Sequence, residues 1–301
     1  MTAICENSLY NVCSCKTKYH LPITLPLYDG HCHVDLFFKY GLNENDFNLQ
    51  LSYGRKIILI DNRHQHYRWF ANYEIQSPNV KIFTTYGIHP KYLPSDPQSV
   101  LQQLDNIFKN KFQLTTTTVG IGECGLDDTS NCSYDFQLFI FKYQLKLAAE
   151  MKLPIVLHGR GVNSFEPMLR ELKLHLNDTH KIHWHCINSK TNLNVISNFL
   201  NYFKNSFIGL NGSITTPNDI DSQKNFNNWL LTQHDILARI IIETDFPFLR
   251  PSTLETDRYN PISGITTAAQ HIVNILRIKK LYATKIIDRS NNNIRRMYCI
   301  D

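Results

Sequence analysis

Nowhere in its 301 residues does this chain approach the ~20 consecutive apolar residues of a membrane span, so the sequence offers no candidate spanning helix and no membrane partner. The opening MTAICENSLYNVCSCK lacks a basic segment followed by an apolar core. No secretory signal is expected from it, and the expected setting is intracellular, cytoplasmic or nuclear. An arginine-rich tract is missing as well. With 31 Lys and Arg against 26 Asp and Glu, the formal charge is +5. That excess permits a nucleic-acid partner without pointing to one. Basic residues recur instead in the expected loops, as Arg63, Lys91, Arg160, Lys190, Arg250 and Arg258. Cys5, Cys13, Cys15 and His20 are accompanied by no C-x2-C or H-x3-H pair, so they match no common zinc module. Cys32, Cys124 and Cys186 read as small buried fillers, and Cys132 and Cys299 as incidental. No internal repeat, linker or low-complexity tract divides the chain. Residues 1–25 read as a leader and 26–301 as one domain. The oligomeric state is not legible.

What is present is a regular alternation. Apolar, β-branched runs predict strands over 25–28, 56–60, 81–86, 116–121, 154–157, 181–184, 207–210 and 239–242. Helical patterns fall between them, near 65–74, 97–108, 135–151, 165–174, 191–203 and 225–233, with two closing helices near 266–276 and 282–297. Over 135–151, Leu138, Phe141, Leu145 and Ala148 make one apolar stripe. Alternating strands and helices predict a parallel sheet. Eight repeats, in a domain near the ~250 residues such a fold uses, predict an α/β single (β/α)8 TIM barrel with closing C-terminal helices.

Six residues stand where these strands are expected to end: His31 and His33 in DGHCH, Glu123 in GECGLD, His158 in LPIVLHGR, His185 in HWHC and Asp245 in ETDFP. Taken singly, each is an ordinary polar residue, and His180, His234 and His271 read that way. Taken together on one barrel rim, they are the donor set for divalent metal ions. One histidine pair with Asp245 would cradle one ion, His158 and His185 a second, with Glu123 bridging. Strand alternation puts His183 one layer below His185, and Glu243 beneath Asp245. Four imidazoles suit Zn2+, while the carboxylates are compatible with Mg2+ or Mn2+.

On these segments the chain resembles the TatD family of metal-dependent deoxyribonucleases, over roughly 26–298. The matching stretches are DGHCHVD, YGIHP, GIGECGLD, QLFIFKYQLKLA leading into LPIVLHGR, HWHC, IIETDFPFL and NNIRRMY. The HWHC form most resembles the divergent eukaryotic TatD-domain nucleases. The resemblance implies a two-metal phosphodiesterase acting on nucleic acid, DNA first, with RNA or RNA–DNA hybrids as further substrates. It implies Asp245 and Glu123 as catalytic groups, Asp245 orienting the attacking water and taking its proton. It implies His89 and Arg160 as contacts to the scissile phosphate. Glu243, one layer down, reads equally as an acceptor fixing a ligand imidazole or as a carboxylate paired with another barrel residue. Arg63 and Lys91 would hold the flanking backbone. Lys91, Gly161, Phe246 and Ile187 depart from the usual family residues and bear on the shape of the pocket. Two other functions remain open: hydrolysis of small amides, esters or phosphates on the same barrel, and a non-catalytic nucleic-acid-binding scaffold.

Overall fold

The computed structural model of the chain describes residues 25–37, 39, 54–71, 75, 77–109, 117–216, 219–278 and 281–301. Cys5, Cys13, Cys15 and His20 of the expected leader lie outside the described residues, as do Thr116 of the fourth expected strand and positions 72–74 of the first expected helix.

Eight parallel strands pair in sequential order: β1 Leu27–Cys32, β2 Ile57–Arg63, β3 Val80–Tyr86, β4 Thr118–Asp127, β5 Ile155–Arg160, β6 Ile182–Trp184, β7 Ser206–Leu210 and β8 Ile240–Ile242. Around them the described residues contain seven α-helices. These are α1 Pro97–Lys109, α2 Tyr134–Met151, α3 Phe165–His175, α4 Leu193–Tyr202, α5 Ile220–Thr232, α6 Pro261–Leu276 and α7 Ala283–Tyr298. The expected TIM barrel is the fold observed. No helix among the described residues is long and apolar enough to cross a membrane.

The strands are covered on both faces, which is why they read as runs such as IILI and III rather than as alternating patterns. Outward side chains, including Leu59, Leu157, Trp184 and Ile242, pack under the helices. Trp184 stacks on Phe165 of α3 and meets Phe199 of α4 edge-on. Helix starts follow their capping residues: Ser133 accepts from Phe136 N–H, Asn192 from Val195 N–H, and Asn260 with Ser263 forms a capping box on α6. The expected helix over 65–74 is instead a short 3-10 turn, His66–Arg68. There the indole of buried Trp69 donates to the carbonyls of Arg63 and Gly87, tying the segment to the ends of β2 and β3.

A second apolar cluster fills the barrel itself. Tyr28, Ile58, Ile60, Phe83, Val119, Val156, Phe207 and Ile241 point inward, and Ile294, Met297, Tyr298 and Ile300 from α7 and its end plug the lower mouth. The same helix mends the β8–β1 seam, where no strand pairing is formed. Asn291 accepts from Tyr28 N–H and donates to the Pro26 carbonyl; Ser290 accepts from Ile242 N–H; Asn293 donates to the carbonyls of Leu237 and Ile240. Higher up, Asp245 N–H donates to the His31 carbonyl and His33 N–H to that of Phe246. Buried backbone groups need partners, and here a helix supplies them through side chains. At Gly30 the two strands come so close that a Cβ would lie 2.1 Å from Ile241 Cγ2. Replacing Asn291 with Leu is expected to lower stability by about 2–3 kcal/mol, because two buried backbone groups lose their partner. Asn292→Ala, on the exposed side of the same helix, should change it by less than about 0.5 kcal/mol. Urea denaturation of the two variants measures the difference.

Candidate metal centre

Strand alternation alone would turn the key residues the wrong way. Leu27 and Asp29 pair with Ile57 and Leu59, so an unbroken β1 would send His31 and His33 toward the helices. Between Asp29 and Cys32 two residues of β1 run against one of β2, Ile60, and this bulge brings both imidazoles into the lumen while Cys32 turns out. The same device recurs in β4. Its register slips between Ile121 and Cys124, at Gly122 with φ +130°, and Glu123 swings inward. A Cβ at Gly122 would fall 2.5 Å from the Val156 carbonyl oxygen, so the bulge needs glycine for space as well as for conformation.

Three of the six expected ligands, His31, Glu123 and His158, therefore lie within strands rather than in the loops after them. The strands run longer than their apolar stretches because the bulges and inward polar residues continue the ladder.

Glu123 is the hub. Its Oε1 lies 2.7 Å from His158 Nδ1, 3.0 Å from His185 Nε2 and 3.6 Å from His89 Nε2, and its Oε2 3.3 Å from His31 Nε2. Asp245 Oδ1 lies 3.0 Å from His33 Nε2 and 3.5 Å from His31 Nε2. All six residues are buried. Their donor atoms fall into overlapping triads, among them His31–His33–Asp245, His31–Glu123–His185 and His89–Glu123–His158, each within 4.8 Å. The triads meet at Glu123, on whose Oε1 both His158 and His185 converge, and His185 also groups with His31.

The donor set fits a divalent cation. Neither ring nitrogen of fully buried His31 makes a hydrogen bond, although two carboxylates converge on its Nε2. Burial and the neighbouring His185 push this imidazole down to about 4, leaving it neutral with a lone pair to give. His33 donates from Nδ1 to the Asn62 carbonyl, an acceptor only, so Nε2 is the nitrogen that faces Asp245 and the cluster. Burial opposes charge on His33, but the Asp245 hydrogen bond outweighs it and lifts the group to about 9. His185 is likewise raised against burial, by Glu123 and Glu243. Burial also works against ionised Glu123, yet His185, His31 and His89 hold it well below the usual carboxylate range. Charge on His33 and His185 thus answers the charge of these carboxylates.

Beneath the cluster, Glu243 is fully buried on the strand line of Asp245. Its Oε1 accepts from Cys186 N–H and the Asn211 amide and lies 3.3 Å from His185 Nδ1. Its Oε2 lies 3.0 Å from His183 Nε2, and His183 Nδ1 is bonded to Tyr298 Oη of α7. Burial disfavours its charge, but His185 and His183 keep the carboxylate ionised.

His89 lies inside the cluster rather than on its rim. Its Nδ1 accepts from Lys91 N–H at 3.0 Å, so Nε2 carries the hydrogen and presents a donor, not a lone pair. Arg160 ends β5 with an exposed side chain, and its carbonyl accepts from Asp128 N–H and Ser164 Oγ–H. Arg63 is not placed to hold a substrate backbone. Its guanidinium bonds Asp61 and the carbonyls of Trp69 and Ala71. Lys91 Nζ faces Asp127 at 3.5 Å.

Two residues at the site escaped sequence reasoning. Asp127 Oδ2 lies 3.0 Å from His158 Nε2, so it orients that imidazole toward Glu123. The signal was available: Asp127 is four residues after Glu123 in GECGLD, hence on the same face once the strand is known to continue. His64 Nδ1 lies 3.0 Å from His33 Nδ1, and burial with the His33 charge pushes His64 down to about 3. A histidine at a strand end in DNRHQH carries no pattern of its own.

Comparison with known proteins agrees with this geometry. Residues 28–299 match the family model described as TatD related DNase. The human 3′–5′ RNA nuclease TATDN2 is 29% identical over 176 residues, 56% of this chain, which spans 21% of that protein's length. An uncharacterized metal-dependent hydrolase of Buchnera aphidicola is 27% identical over 233 residues, covering 75% of this chain and 79% of its own. A 3′–5′ ssDNA/RNA exonuclease TatD of Yersinia pseudotuberculosis is 39% identical over 82 residues, 27% of this chain and 30% of that one. The crystal structure of YjjV, a TatD homologue of Escherichia coli, superposes with a TM-score of 0.66 at 23% identity, over 93% of this chain and all of that one, and so shares the fold. With the family pattern matched across nearly the whole barrel, the chain belongs to the TatD-related DNase family.

Proposed function

We propose that this chain is a divalent-metal-dependent nuclease that hydrolyses phosphodiester bonds of nucleic acid, with DNA as its substrate. The observation that carries this is the convergence of His31, His158 and His185 on Glu123, in a chain that matches the TatD-related DNase family over residues 28–299. Two cations would be held, one by His31, His33 and Asp245, the other by His158 and His185, with Glu123 shared between them. Bound there, they supply Lewis-acid polarisation of the phosphate and a more acidic attacking water. The chain's own residues do the rest. Asp245, with Oδ1 at the cluster and its backbone tied to His31, orients the water and takes its proton. His89 Nε2–H donates to a non-bridging phosphate oxygen. Arg160 on the rim binds the same group from the solvent side. Asp127 and Glu243 fix the tautomers of His158 and His185, so that each turns a lone pair to the cations.

In thermal denaturation, Mn2+ or Zn2+ at about 100 times its dissociation constant should stabilise the wild-type chain by about 2.7 kcal/mol for each ion bound, with the gain lost on chelation and reduced in His31→Ala. Glu243→Gln should bind the same metals roughly 10–100-fold more weakly, read by isothermal titration. Incubation with end-labelled single-stranded DNA, duplex DNA, RNA and RNA–DNA hybrid then tests the activity itself. Metal-dependent degradation is expected for the wild type and at least about 100-fold less for His158→Ala. Identical behaviour of the two proteins on every substrate would sink the nuclease assignment.

A further inference from the structure

At the end of the barrel opposite the metal centre, a cavity of about 280 Å³ is lined by Lys181, Asn205, Phe207, Arg295, Arg296 and Cys299. Three of these six residues are cations, and none is acidic. The cations come from separate elements: Lys181 precedes β6, while Arg295 and Arg296 lie in the last turn of α7. Their partners in the fold are neutral. Lys181 Nζ sits 2.6 Å from the Cys299 sulfur. Arg295 donates to Tyr28 Oη and Asn292 Oδ1 and lies over the Tyr28 ring. Arg296 lies over the Phe207 ring, its guanidinium carbon 5.4 Å from the centroid. A further cation, Arg239, is near enough to feel the charge of Arg296 and is answered in part by Asp235.

The negative end of the α7 dipole accounts for arginines in its last turn, at about 0.3–1 kcal/mol each, but not for Lys181 brought beside them. Like charges gathered on one concavity repel unless an anion joins them, and a hollow walled by cations concentrates anions. Two guanidinium forks with an ammonium match a tetrahedral oxyanion, whose several oxygens take donors from different directions. The volume lies just below the ~300–1,000 Å³ of ordinary small-molecule sites, so it suits a phosphate or a phosphomonoester and is too small for a folded nucleic-acid segment. We infer that this lower cavity is a binding site for a small phosphate anion, separate from the metal centre.

Cys299, exposed in the same cavity, is a built-in reporter. The measurement is the rate of its alkylation by anionic iodoacetate and by neutral iodoacetamide, resolved by peptide mass spectrometry, with Cys132 as the internal reference. In the wild type, the iodoacetate-to-iodoacetamide ratio should be about tenfold higher at Cys299 than at Cys132. Millimolar inorganic phosphate, or a nucleoside monophosphate, should slow iodoacetate at Cys299 several-fold more than sodium chloride of equal ionic strength. Lys181→Gln and Arg296→Gln, with unchanged circular dichroism, should lose both the preference and the protection. The protection should persist in His31→Ala, so the outcome stands apart from the nuclease proposal whichever way that falls. Protection matched by sodium chloride, protection given only by an oligonucleotide, or no excess preference for iodoacetate at Cys299 would each overturn the site.

Discussion

Everything at the upper end of this barrel answers to one carboxylate in the wrong medium. Glu123 is buried to within 3% of full enclosure, and an ionised acid there is unfavourable unless positive charge or strong donors surround it. Four imidazoles stand within 3.6 Å of its two oxygens. Several imidazoles of the centre are oriented in turn by a next ring of groups: Asp245 and Asn62 for His33, Asp127 for His158, Glu243 for His185 and His183. The demand passes outward until it meets the helices. Gln137 of α2 braces Asp127 by accepting its N–H, and Gln144 braces the strand end beside His89 by bonding both backbone groups of Ile88.

That chain of demands explains which parts were legible in the sequence. The strands and most helices follow from apolar periodicity, because packing between sheet and helices is local and repetitive. The six candidate ligands stood out because acids and imidazoles are costly on a barrel rim without a purpose. The bulges could not be read, since nothing in DGHCH or GIGECGL other than glycine hints at a slipped register. Their absence from the expectation is why His31 and Glu123 were assigned to loops. His64 and Asp127 were missed for a related reason: each acts through a neighbour, and neighbours are known once strand ends are placed in space. The assignment of Arg63 to substrate failed differently. A guanidinium at a strand end looks free in sequence, but the carbonyls of the following turn claim it.

The barrel is organised as two chambers with different chemistry. The upper one gathers the buried carboxylates Glu123, Asp127, Glu243 and Asp245. The lower one is apolar, and its aromatic floor is capped from outside by cations: Arg295 over Tyr28, Lys81 over Phe83 and Arg296 over Phe207. Tyr298 joins them, with its ring among the apolar side chains and its hydroxyl on His183, whose Nε2 lies 3.0 Å from Glu243 Oε2. Alterations in the closing helix therefore reach the candidate metal centre through two side chains, Tyr298 and His183.

The seam between the first and last strands sets a condition on how the protein is made. Tyr28 finds its partner Asn291 263 positions further along the chain, and the barrel has no complete wall until that helix arrives. On a ribosome delivering about 5–20 residues per second, β1 waits tens of seconds with its edge unsealed. Through that interval a strand carrying two of the candidate ligands faces the cellular milieu, open to stray pairing and to premature capture of metal by a half-formed site. The open seam is thus longest exposed while the chain is still being made.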